Sequence, residues 1–152
     1  MKVRAAALIL TMGFAALPSI AAPDAPPSDT HLQAGAAIYQ DNCMACHGSD
    51  GSGEKSIFPP LAGNLVVRGA SAERLIRVVL AGAQSIQTAR APTGAAMPSF
   101  AWRLNDAETA DVVTYIRSSW ANQASPVSAD MVAPLRARLR KDAGLPELPA
   151  GN

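Results

Sequence analysis

The residues best able to do chemistry stand together in the stretch DNCMACHGSDGSG, from Asp41 to Gly53. It holds Cys43, Cys46 and His47, which are both cysteines of the chain and one of its two histidines. Two cysteines in C-x-x-C spacing followed by a histidine allow three chemistries. They can contribute to a zinc site, cycle as a redox disulfide, or attach haem covalently.

Zinc needs four protein ligands in a structural site and three in a catalytic one. The remaining histidine, His31, lies well upstream near a predicted helix start, and reads as a solvated residue. No second cluster of ligands appears. A thioredoxin-like disulfide needs a strand-to-helix context, and no strand is predicted here. A structural disulfide would leave His47 unexplained. Haem uses all three residues. Each thiol adds to one vinyl group, and cysteines three apart on a helical turn share a face, so both sulfurs meet one porphyrin edge. His47 then follows as proximal iron ligand. C-x-x-C-H is the attachment signature of c-type haem.

The sixth iron position separates electron carriers from ligand binders and peroxidases. Of the five methionines, Met1 and Met12 fall in a predicted leader. Met44 lies within the attachment segment, and Met131 lies in the tail. Met97, in APTGAAMPSFAW, sits in a loop of small residues between two helices. It is the candidate sixth ligand, a buried core methionine being the alternative. A thioether favours ferrous iron, so His/Met ligation raises the potential.

These residues need elements to position them. Thr30 with Gln33 fits a capping box, so a first helix is expected from about His31 to about Ala45. Residues 48–70, rich in Gly, Ser, Asn and Pro, read as loop. Ser71 precedes AERLIRVVLAG, where Leu75, Val78 and Val79 recur at helical spacing and Gly82 stops the helix. A second loop, 83–103, carries Pro92, Gly94 and Pro98. Asn105 with Glu108 makes another capping box, opening DAETADVVTYIRSSW with Ala110, Val113, Ile116 and Trp120 along one face. No segment alternates like a strand, so the core is expected to be all-α. In the tail, Met131, Leu135 and Leu139 share a helical face around Pro134, with Arg136, Arg138, Arg140 and Lys141 loading the rest with charge. That tail reads either as a short amphipathic basic helix packed back on the domain, or partly disordered, or as a docking element for an acidic partner.

The N-terminus has the order of a secretory signal peptide. Lys2 and Arg4 precede an apolar run from Ala5 to Leu17, Pro18 interrupts it, and Ser19-Ile20-Ala21 supplies a small-residue cleavage site after Ala21 or Ala22. A retained spanning helix would want about 20 predominantly apolar residues. Removing Lys2 and Arg4 from the 13 basic residues leaves 11 against 12 acidic, a balance of −1. No basic patch suits nucleic acid. Aromatic residues make up only 5% of the chain, so a large flat cofactor could fill core space that aromatics usually fill. The expected organisation is a signal peptide over 1–21, a Pro-rich linker over 22–30, a haem domain over 31–121 and a tail over 122–152.

At this point the chain resembles a family, the class I (mitochondrial-type) c cytochromes, over about residues 32–121. The likeness rests on C43-M-A-C46-H47, the loop M97-P-S-F100, and helices at both ends. The resemblance implies a single-haem class I fold, with N- and C-terminal core helices crossing and loops around the haem. It implies that Gly35 and Tyr39 cross a helix bearing Val112 and Tyr115, glycine permitting the close approach. It also implies that the Pro59 carbonyl accepts the His47 Nδ1–H and that Leu61 packs on the ring, although Pro60 leaves a one-residue ambiguity.

The phrases CMACHGSDGSGEKSIFPPLAGN and MPSFAWRLNDAETADVVTYIRSSW are also similar to a haem domain in the cytochrome subunits of bacterial membrane-bound alcohol, gluconate and aldehyde dehydrogenases. Such subunits carry three attachment motifs, whereas this chain has one. The resemblance implies one covalent haem c per chain and an exported, periplasmic electron carrier or detachable subunit, not an enzyme. A dehydrogenase is the expected donor, and an oxidase or another cytochrome of the respiratory chain the expected acceptor. No nucleic-acid partner and no integral anchor after signal cleavage are expected. The other function class is a haem-based ligand-binding or peroxidase-like protein whose methionine swings off. Met97 and the lack of a distal histidine argue against it.

Overall fold

The computed structural model describes residues 28–84 and 95–143. The predicted signal peptide, most of the linker, Pro92 and Gly94 lie outside the described residues, as does the end of the tail.

The first helix, α1, spans Asp29–Asn42. Its cap is Ser28, whose side chain accepts from the His31 N–H, so the expected cap at Thr30 is corrected by two residues. The helix breaks earlier than expected. Cys43 departs from helical geometry at φ −120°, and a separate turn, α2 (Met44–His47), carries the rest of the motif. Gly48, at φ +76°, ends that turn by giving its N–H to the Met44 carbonyl. A left-handed φ is the position that glycine fills without a Cβ clash.

Residues 48–70 are mostly loop, with one short turn of helix, α3 (Leu65–Arg68), capped by Asn64. Helix α4 covers Glu73–Ala81 with Ala72 at its cap position, so the cap expected at Ser71 is shifted by one residue, although the Ser71 hydroxyl accepts from the Glu73 N–H. It stops at Gly82, as the sequence indicates. The described fold is helix-dominated, as expected, and two short strands are added to it after α4. Ala83–Gln84 (β1) pairs antiparallel with Ala96–Met97 (β2), in the register Ala83 to Met97. Two residues are too few to show an alternating pattern.

Helix α5 spans Asp106–Ser118 and opens with both halves of the Asn105/Glu108 capping box. It buries Ala110, Val113 and Ile116 as the periodicity predicts. It ends before Trp120, which is not on the helical face. Trp120 and Ala121 take φ +51° and +63°, reversing the chain. That reversal swings the indole onto Tyr39 and Tyr115, with ring centroids 5.1 and 5.9 Å away.

The α1/α5 crossing holds the fold together. A Cβ on Gly35 would overlap the backbone carbonyl of Asp111 and come within 2.8 Å of the Tyr115 Cβ. Only a residue without a side chain lets the helices approach this closely. Tyr39 and Tyr115 stack beside it at 5.5 Å. His31 Nδ1, near the start of α1, lies 2.8 Å from an Asp111 carboxylate oxygen.

The last helix, α6 (Ala129–Asp142), packs against α4 and α5, so the tail takes the packed-helix form. Its inward residues are Val132, Leu135 and Arg136. Met131, expected inside, is exposed, and Arg136, expected in solvent, is 8% exposed. No helix among the described residues is long and apolar enough to cross a membrane.

Candidate haem site

The motif is fixed from both sides of the turn it occupies. The Tyr39 hydroxyl donates to the Gly48 carbonyl at 2.6 Å, and Trp120 Nε1 donates to the Ser49 carbonyl at 3.1 Å. Gly53 donates its N–H to the His47 carbonyl, and Leu61 and Ala62 both donate to the Gly51 carbonyl. These bonds fold residues 48–62 back over His47.

His47 is 8% exposed. Its Nδ1 lies 3.0 Å from the carbonyl oxygen of Pro59. A carbonyl only accepts, so Nδ1 carries the hydrogen and Nε2 keeps its lone pair. The one-residue ambiguity between the two prolines is thereby removed, because Pro59 takes the histidine and Pro60 accepts from Asn64 Nδ2.

Two neighbouring cavities share His47 and Met97 as lining residues, one of about 230 Å³ and one of about 160 Å³. The larger is walled by aliphatic groups from α3, α4 and α5, among them Leu75, Val79, Val112 and Ile116. Leu61 lines it too. The smaller includes Cys46, Ile57, Phe58, Ala95 and Ala96, and Cys43 lines both. Ala45 and Gly48 line neither cavity.

Cys43 is half-buried, Cys46 is exposed, and the two are not bridged. Burial, and then the neighbouring Cys46, push the Cys43 thiol up to about 11. Burial, followed by charge on Cys43, raises the Tyr39 phenol still further. At Cys43, which lines both cavities, burial thus disfavours the charged form. Among the described residues no group of three or more His, Cys, Asp and Glu could hold a metal ion, so zinc has no ligand set there. A flat apolar ring with an iron acceptor for Nε2 and edges for two thiols suits these donors and walls.

The structure adds residues that sequence reasoning missed. Asn122, 2% exposed, donates to the Leu61 and Ile116 carbonyls and accepts from Gly63 N–H. Arg117, 1% exposed, donates to the carbonyls of Val67, Gly69 and Ser125. Burial lowers its pKa. The only sequence signal was an arginine one turn after Val113, on the face otherwise reserved for the core.

The model of the cytochrome c family matches residues 32–120. The chain belongs to the cytochrome c family. Family membership implies covalently attached haem c, and the single C-x-x-C-H motif allows one per chain. This cytochrome is 45% identical over 104 residues to the cytochrome c subunit of a quinone-dependent alcohol dehydrogenase from Gluconobacter oxydans, covering 68% of the chain and 22% of that subunit. It is 44% identical to the cytochrome c subunit of gluconate 2-dehydrogenase from Pantoea cypripedii, covering 68% and 24%. The cytochrome thus spans about a quarter of the length of these subunits. It is also 35% identical to cytochrome c-552 of Thermus thermophilus, covering 68% of the chain and 85% of that protein.

Proposed function

We propose that the protein is an exported, periplasmic single-haem electron carrier, taking electrons from a dehydrogenase and passing them to an oxidase or another cytochrome of the respiratory chain. In this reading residues 1–21 are the signal peptide. Cys43 and Cys46 would hold haem through thioethers, and His47 Nε2 and the Met97 sulfur would bind its iron. Haem supplies a one-electron ferric/ferrous couple. The chain does the rest.

The Pro59 carbonyl orients the His47 ring and increases its donor strength, as partners behind a metal ligand do. Leu61, Val79 and Ile116 exclude water, which shields the charge change on the iron. Exposed Cys46 and Ala96 lie at the smaller cavity, where a partner protein can approach a cofactor edge. The similarity to dehydrogenase cytochrome subunits favours a dehydrogenase donor.

The observation that carries this reading is the His47 to Pro59 bond in a cavity that Met97 also lines. Oxidised holoprotein should show the weak far-red sulfur-to-iron band, and reduced holoprotein should bind carbon monoxide slowly. A missing band with rapid carbon monoxide binding would replace the carrier by a ligand-binding haem protein.

A further inference from the structure

Helix α6 lies beyond the segment that the family model matches, which ends at residue 120. Its buried Arg136 reaches the turn that follows Met97. Nη1 donates to the Ala101 carbonyl and Nη2 to the Leu104 carbonyl, both at 2.7 Å. Nε lies 2.6 Å from an Asp106 carboxylate oxygen, and Nη2 also meets the Thr109 hydroxyl at 3.3 Å. A guanidinium is suited to this, because its fixed fork can satisfy several acceptors at once.

The other side of the same turn is tied to α4. The Ser99 hydroxyl donates to the Leu80 carbonyl at 2.5 Å, and Phe100 N–H donates to the Val79 carbonyl at 3.0 Å. Phe100 and Leu104 line the larger cavity together with Met97. The methionine segment is thus clamped between α4 and α6, and Arg136 supplies the α6 half.

We propose that Arg136 is a positioning residue for Met97: through the Ala101 and Leu104 carbonyls, α6 holds the methionine segment where its sulfur stays on the iron. This rests on the reading of Met97 as sixth ligand. Without the guanidinium, two carbonyls and the Asp106 carboxylate lose their partner. The turn then relaxes on the α6 side, and the sulfur spends more time away from the iron.

The test compares holoprotein carrying Arg136→Gln or Arg136→Lys with wild type and with Arg138→Ala, an exposed control. The far-red band and helical dichroism are followed together through a urea titration, with carbon monoxide binding measured on reduced protein. In Arg136→Gln the band should vanish at lower urea than in wild type, while the helices are still formed. Carbon monoxide should bind about tenfold faster, the size that one lost charge-assisted hydrogen bond implies. Arg136→Lys should recover part of both, keeping the charge opposite Asp106 but losing the fork. Should Arg136→Gln fail to accumulate, Arg136→Lys against wild type carries the same comparison.

If band and helices are lost together in both variants, with carbon monoxide binding unchanged, Arg136 is a stability residue only and the inference is overturned. A wild type with no far-red band overturns the assignment of Met97 itself, and this inference with it.

Discussion

His47 Nδ1 and the Pro59 carbonyl oxygen stand 3.0 Å apart, joining the attachment turn to the loop twelve residues on. The bond leaves the imidazole one free nitrogen and one orientation. Proline suits the acceptor position because its rigid φ limits movement of the carbonyl behind it. His47→Ala should therefore abolish the normal low-spin spectrum even where both thioethers form. An unchanged spectrum would show that another residue binds the iron.

The haem should resist acid-acetone extraction and stain a denaturing gel. Cys43→Ser or Cys46→Ser should leave a single thioether at best, read as a shift of the reduced absorption band in pyridine. Haem that washes out of the unaltered protein would remove covalent attachment through this motif.

Replacing Met97 tests the sixth position by chemistry. Met97→His should stay low-spin with a lower potential, because imidazole favours ferric iron more than a thioether does. Met97→Ala should bind carbon monoxide readily and gain some peroxidase activity. Potentials equal to wild type in both variants would make Met97 a packing residue.

Gly35→Val should destabilise the holoprotein by about 1–3 kcal/mol, the usual cost of overpacking. The upper part of that range is expected, because the neighbour is the Asp111 backbone, which cannot rotate away as a side chain can. Urea denaturation measures the loss. A neutral substitution would mean that the α1/α5 crossing is looser than the structure has it.

Apoprotein should fold poorly, since the walls around the two cavities have no partner without the ring. In a folded apoprotein, burial and a thiol pKa of about 11 would make Cys43 alkylate far more slowly than exposed Cys46 at pH 8–9. Near-equal alkylation rates are expected. Strong protection of Cys43 would show that the fold survives cofactor removal.

What the sequence made legible was local. The Asn105/Glu108 box and the stop at Gly82 each depend on residues within one turn, and both stand where predicted. So do the buried Ala110, Val113 and Ile116. The Gly35 crossing came through the resemblance instead, because nothing local tells a packing glycine from a weak helix residue. The misreadings share a different cause. Trp120 continues the helical period, but two left-handed residues redirect it. Arg136 reads as one more solvated charge, because its carbonyl partners come from a turn some thirty residues away. Charge in a sequence says nothing of which carbonyls the fold will turn towards it.

The crossing of α1 and α5 also imposes an order in time. Its His31 to Asp111 contact joins positions 80 apart. Contacts this distant form late, because chain closure must precede their reward. A chain emerging from its N-terminus presents Cys43 to His47 while α4 and α5, two walls of the cavity, are still unmade. The motif is then open to whatever installs the ring. A ring tethered there would act as an oversized side chain on the early part of the chain. It would sit at high effective concentration for Val112 and Ile116, which line the cavity, as they arrive. Helix α5 would have a partner waiting, and the long closure would be helped by chemistry already finished.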